Sequence, residues 1–148
     1  MIPGEPTSDQ ATRVEKNRTV VELVIEADEL NHAEVGTTIG AKPTKTWKKG
    51  DLVERSLIRY KRDGWLWSVE LVGVAEASVG LDRFIDEIGD ERIERIAALS
   101  RTLPIHVCIV MYTYSQRPVL DLGKSQVATL ARMGAELGFD IFDFSDLE

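Results

Sequence analysis

Apolar and polar positions first fall into a regular pattern over Thr19–Ala27, where Val21, Leu23, Ile25 and Ala27 interleave with Val20, Glu22, Val24 and Glu26. A period of two predicts a strand with one face in a core. Residues 1–18 carry two prolines and no hydrophobic period, which reads as a flexible N-terminal arm ahead of a single domain over 19–148. Asp28 is placed to cap a short helix through about Ile39, and Gly40 to end it. Ala41 to Asp51, with Pro43, Gly50 and four lysines, reads as loop.

Asp63-Gly64 then signals a two-residue hairpin turn, because both central positions of such a turn need positive φ. Counting outward pairs Arg62 with Trp65, Tyr60 with Trp67, Ile58 with Val69 and Ser56 with Leu71. One face of the hairpin thereby collects aromatic and aliphatic side chains. The other sets Arg55, Leu57, Arg59 and Lys61 against Val72, Glu70, Ser68 and Leu66, a sorting that a one-residue slip would scramble.

Ser78 is placed to cap the next helix, in which Leu81, Phe84, Ile85 and Ile88 keep helical spacing. Gly89 breaks it, and Asp90 starts a second segment with Ile93, Ile96 and Ala97 on one side. Ile105 to Tyr114 is apolar at both alternating sets of positions, which predicts a central strand covered on both sides over at least part of its length. Gln126 to Leu137 reads as helix ended by Gly138, and Phe139 to Phe144 as a short last strand before an acidic tail. The expected fold class is α+β: a single domain built as a ferredoxin-like βαββαβ plait, extended by a C-terminal helix and strand.

Several short stretches resemble a known bacterial family. Gly40-Ala41-Lys42-Pro43 followed by Trp47-Lys48-Lys49-Gly50-Asp51 is similar to the glycine, proline, tryptophan, glycine-aspartate pattern of the domain of unknown function 4279 family. Asp63-Gly64-Trp65, Met133-Gly134-Ala135 and Phe139-Asp140-Ile141-Phe142 extend the likeness over about residues 19 to 144. The resemblance implies a compact bacterial domain. It brings no activity, catalytic residue or cofactor.

Composition narrows the chemistry. A chain of 148 residues is long enough for one full core. A net charge of −7 argues against a dedicated duplex-DNA binder, whose affinity comes from excess Lys and Arg. Cys108 alone excludes an internal disulfide or a cysteine-built zinc cage, and His32 and His106 leave little for a metal centre. No run approaches the roughly 18 apolar residues of a membrane span, so the expectation is a cytoplasmic protein with no cofactor and no membrane contact.

Charge is unevenly spread: residues 41–63 hold eight Lys and Arg against three carboxylates, while the rest is strongly acidic. Lys45, Trp47, Lys48, Arg55 and Arg59 are therefore candidates for binding a small anionic ligand, with Glu70 diagonally within reach of Arg59. The plainer reading packs Trp47 down and leaves the cations in solvent. Burial of Trp47 is what separates the two. Asp86, Glu87, Glu91 and Glu94, with Asp82 and Asp90, form an acidic helix surface suited to a basic protein partner. Pairing with Arg83, Arg92 and Arg95 at helical spacing is a sufficient explanation and the simpler one.

Asp140, Asp143, Asp146 and Glu148 lack the spacing of a calcium loop and read as a solvated tail. Cys108 reads as a small buried hydrophobe, His106 as a strand histidine and His32 as exposed. No phosphate loop, dinucleotide fingerprint or nucleophile elbow is present. The expected function is a non-catalytic intracellular protein-binding domain of the immunity type, neutralising a bacterial toxin by occlusion. The alternatives are an anion-binding domain and an enzyme whose carboxylates meet only in three dimensions.

Overall fold

The alternation at the start of the chain becomes β1 (Arg18–Ala27), in which Val21, Leu23 and Ile25 are wholly buried. The structure, a computed structural model, describes residues 15–145, so residues 1–14 of the expected arm and 146–148 of the expected tail lie outside it. Asn17 belongs to the body: it is buried, its Oδ1 accepts from the Tyr114 N–H at 2.7 Å, and its Nδ2 donates to Ser115 Oγ at 2.9 Å.

The elements that follow are α1 (His32–Ile39), β2 (Lys45–Trp47), β3 (Asp63–Val72), α2 (Ala77–Leu99), β4 (Ile105–Thr113), α3 (Lys124–Arg132) and β5 (Ala135–Asp143). Asn31, rather than Asp28, caps α1 by accepting from the Glu34 N–H at 3.1 Å, and Gly40 ends it at φ 81°. Glu76 precedes α2 without a side-chain cap, so Ser78 lies inside the first turn. Gly89 divides α2 as its sequence predicts, with φ 77° and ψ 159°. α3 is shorter than its hydrophobic pattern extends. Gly134, at φ 69°, reverses the chain after Met133, and Gly138 lies within β5.

The sheet order is β2-β3-β1-β4-β5. β3 runs antiparallel to both β1 and β2, β4 antiparallel to β1, and β5 parallel to β4. In register, Val21 lies between Val69 and Ile109, and Leu23 between Trp67 and Val107. The face they share meets Val35 and Ile39 of α1, Leu81, Phe84, Ile88, Ile93 and Ile96 of α2, and Leu130 and Met133 near α3. Among the described residues the result is an α+β domain with a mixed five-stranded sheet and three helices on one side. None of these helices is long and apolar enough to cross a membrane.

Two expectations are corrected. Asp63-Gly64 is not a hairpin turn, and Tyr60, Trp67, Ile58 and Val69 do not share a buried face. Asp63 begins β3 and ties two loops together, its Oδ1 accepting from the Lys49 N–H at 2.8 Å and its Oδ2 from the Leu30 N–H at 3.0 Å. Gly64 lies between Trp47 and Glu26 and is required by close approach: a Cβ there would sit 1.9 Å from the Trp47 ring. Trp67 packs against Phe84 and Val69 is buried, whereas Ile58 is 67% exposed. The second correction concerns β4. Its burial alternates strictly, with His106, Cys108, Val110 and Tyr112 only half-buried. Among the described residues, no helix covers that second face.

Candidate binding surfaces

The uncovered face is built by the even-numbered positions of four strands. β1 supplies Arg18, Val20, Glu22 and Val24, and β3 supplies Leu66, Ser68, Glu70 and Val72. β4 adds Cys108, Val110 and Tyr112, and β5 adds Asp140 and Phe142. Cross-strand register stacks Tyr112 on Phe142, with ring centroids 5.0 Å apart and planes 11° from parallel, and Tyr114 on Phe144 at 5.1 Å. The Arg18 guanidinium lies 4.3 Å from the Tyr112 ring centroid and 3.6 Å from Glu70 Oε1. Glu70 thus pairs with Arg18, not with Arg59. Between these groups lies a shallow hollow of about 340 Å³, lined by Arg18, Glu22, Tyr112, Asp140 and Phe142 among others.

Of its carboxylates Glu70 is paired with Arg18, while Glu22 and Asp140 make no ion pair among the described residues. Burial pushes the Glu22 carboxyl above its ordinary value, neighbouring Asp140 pushes it further, and Lys45 opposes both. Glu22 faces Cys108 across the β1–β4 ladder. Cys108 donates to Asp140 Oδ2 at 3.6 Å, and burial, with Asp140 and then Glu22 nearby, pushes its thiol up to about 12. A thiol held protonated in this way is no nucleophile. His106 lies on the same face beside Gly138. Among the described residues, no group of three or more His, Cys, Asp and Glu is placed to hold a metal ion.

The basic candidates lie toward the β2 edge of the sheet, where Lys45, opposite Leu66, stands on the open face near enough to Glu22 to act on its carboxyl. Trp47 is 8% exposed, lies on Gly64 and stacks on Tyr60 at 4.8 Å. Its carbonyl accepts from His32 Nε2 at 2.9 Å, which half-buries the histidine expected to be exposed. Lys45 Nζ donates to the Tyr60 hydroxyl at 3.0 Å and lies 5.7 Å from the Trp47 ring centroid. Lys45 and Trp47 are therefore brought together.

Lys48, Arg55 and Arg59 belong instead to a finger over residues 48–62. Gly50 N–H donates to Tyr60 O at 2.9 Å, Tyr60 N–H to Asp51 O at 2.8 Å and Val53 N–H to Ile58 O at 2.8 Å. Arg59 Nη1 donates to Gly50 O at 2.7 Å, which binds the guanidinium to the finger itself. Arg55 takes a left-handed φ of 58° in the turn at its end. Leu57 and Ile58, next to that turn, are 95% and 67% exposed.

On the acidic helix, Glu87 pairs with Arg83 at 2.7 Å, Glu91 with Arg95 at 2.6 Å and Glu94 with Arg132 at 2.9 Å. Asp86 makes no ion pair among the described residues, and Asp82 accepts from Gln126 Nε2 at 2.7 Å. Arg92 donates to the Gly40 and Glu87 carbonyls instead of a carboxylate. Asp140 and Asp143 lie in β5, and Asp143 accepts from Thr113 Oγ1 at 2.9 Å. Sequence reasoning missed Arg18, Tyr112 and Phe142 as surface residues. The available signal was in β1, whose polar positions Arg18, Glu22 and Glu26 required any neighbouring strand to share an open face.

The family profile described as "Domain of unknown function (DUF4279)" matches residues 16–144. The chain belongs to that family. No curated protein and no solved structure matches it.

Proposed function

We propose that this member of the DUF4279 family is a non-catalytic, cytoplasmic protein-binding domain of the immunity type, neutralising a basic bacterial toxin by occluding it. The observation that carries the reading is the uncovered sheet face, where half-buried valines and stacked aromatics sit among the carboxylates of Glu22, Glu70 and Asp140. Apolar area with an acidic fringe matches a cationic protein surface and repels nucleic acid. The Arg18 contact supports this, since it already holds one guanidinium between an aromatic ring and a carboxylate. Asp86, Glu87, Glu91 and Glu94 add to the acidic field. Three of them are spent on arginines, so they speed encounter more than they anchor the partner.

The anion-binding alternative draws less support, because Trp47 is covered and Arg59 is turned to a backbone carbonyl. On the same footing we read β1 to β4 as a ferredoxin-like plait. β1 and β2 run parallel with β3 between them, β4 lies antiparallel beside β1, and α3 with β5 extends the set.

The test uses the whole chain as bait in extract of its native host. The wild-type bait is expected to retain one basic protein in stoichiometric amount, and a Phe142→Asp, Asp140→Lys bait to lose it. A bait that retains no such protein, or a partner held equally by the face variant, would overturn the reading.

A further inference from the structure

The finger over residues 48–62 is ordered by its own backbone ladder, yet it leaves Leu57 almost wholly and Ile58 two-thirds exposed to water. Two adjacent aliphatic side chains on an ordered arm thereby forgo the gain of apolar burial. Arg55 lies beside Leu57 with Glu54, and Lys48, Lys49, Arg59 and Lys61 follow along the finger toward its base, where Arg62 is already paired with Asp28. Leu52, 52% exposed, and Val53 line a concave flank of the same finger together with Arg55 and Leu57. A surface of matching chemistry lies among the described residues of the same chain. On the open sheet face, Val20, Val110 and Phe142 form an apolar floor, with Glu22, Glu70 and Asp140 among them. Neither Glu22 nor Asp140 has an ion pair among the described residues, whereas Arg18 shows how such a face holds a guanidinium.

We infer that the finger docks on the open sheet face of a second copy of this chain, Leu57 and Ile58 meeting the apolar floor and the finger's cations meeting Asp140 and Glu22. A two-fold axis lets each copy give one finger and receive one, so the contact is made twice and closes as a dimer. An anionic membrane fits less well. The whole molecule carries −7, and Glu54 stands beside the apolar tip. The inference shares its face with the partner-binding reading, and self-association then competes with a basic partner for that face.

Sedimentation of the purified full chain tests it without any partner, so a failure here leaves the partner-binding reading untouched. At about 100 µM and low salt the expected species has twice the 16.5 kDa chain mass, and raising the salt about tenfold should weaken it at least tenfold. Leu57→Asp with Ile58→Asp should give a folded monomer, since both side chains are exposed. So should Asp140→Lys with Phe142→Asp. Mixing these two variants pairs one intact finger with one intact face, and association should reappear that neither variant shows alone. A wild-type chain that stays monomeric, a dimer that survives both variants, or a mixture that stays monomeric overturns the inference. A monomer that binds phosphatidylglycerol vesicles through Leu57 overturns it in favour of an anionic membrane.

Discussion

Gly64 shows what a single residue does when its local motif and its tertiary contact disagree. The dipeptide Asp63-Gly64 has turn chemistry, yet Asp63 spends both carboxylate oxygens on the Lys49 and Leu30 amides. Those two bonds hold its carboxyl below the usual aspartate range. Gly64 is extended, and its missing side chain is filled by the Trp47 ring. Any Cβ there must displace a buried indole, so Gly64→Ala should destabilise the protein by about 1–3 kcal/mol, the range for overpacking a closed site. Gly64→Asn discriminates: a positive-φ turn tolerates asparagine, while a position closed by an indole does not. Urea titration of both variants should show losses of similar size. A Trp47→Leu background should shrink the alanine loss, because the two positions touch.

At the scale of elements, α2 places one glycine where only glycine fits comfortably. Gly89, at φ 77° and ψ 159°, lies in a region other residues essentially never enter, and a Cβ there would meet nothing within 4 Å. Gly→Ala within a regular helix gains about 0.5–1 kcal/mol. Gly89→Ala should instead cost about 1–3 kcal/mol through backbone strain alone. Thermal unfolding reads the sign, and a gain in melting temperature would mean that α2 straightens at no cost. This break was legible, because the apolar spacing before Gly89 and after Asp90 belongs to two separate helical faces. The length of α3 was not. Leu137 fits a helical or a strand pattern equally well, and pairing with Val107 on β4 decides the matter.

Across the whole molecule the uncovered face has a consequence for stability against pH. A carboxyl whose folded value is raised binds more protons in the folded chain than in the unfolded one, so its contribution falls as pH rises through that interval. Glu22 is such a group, raised by burial and then by Asp140. Asp63 and Asp143 act in the opposite sense. Their values are held down by hydrogen bonds, from the Lys49 and Leu30 amides and from Ser145 and Thr113, so the stability they contribute at neutral pH is lost as acid protonates them. Glu22→Gln should therefore be more stable than wild type at pH 7. The gap should close as pH falls below the ordinary glutamate value of 4.5, where Glu22 is protonated in both states. Denaturant midpoints for the two proteins across that range check it, and an unchanged gap would mean that Glu22 is fully compensated.

The sequence by itself determined what depends on near neighbours: the alternation of β1, the existence of β4, the glycine that ends α1 and the one that breaks α2. Each follows from spacing and backbone freedom within a few residues. The tertiary structure decided which side of each strand is covered. β4 is apolar at nearly every position, but three helices suffice for one face of a five-stranded sheet, so Cys108, Val110 and Tyr112 stay on the open side. It also decided the fate of residues 48–62. Their alternation fits a hairpin with β3, but Trp47, packed on Gly64, makes β2 the strand that pairs there. The cations and Leu57 are left on a finger, because the ladder position they would have filled was taken by a residue 17 positions away from Gly64. Competition of that kind between distant segments is settled by packing volume, which no local pattern encodes.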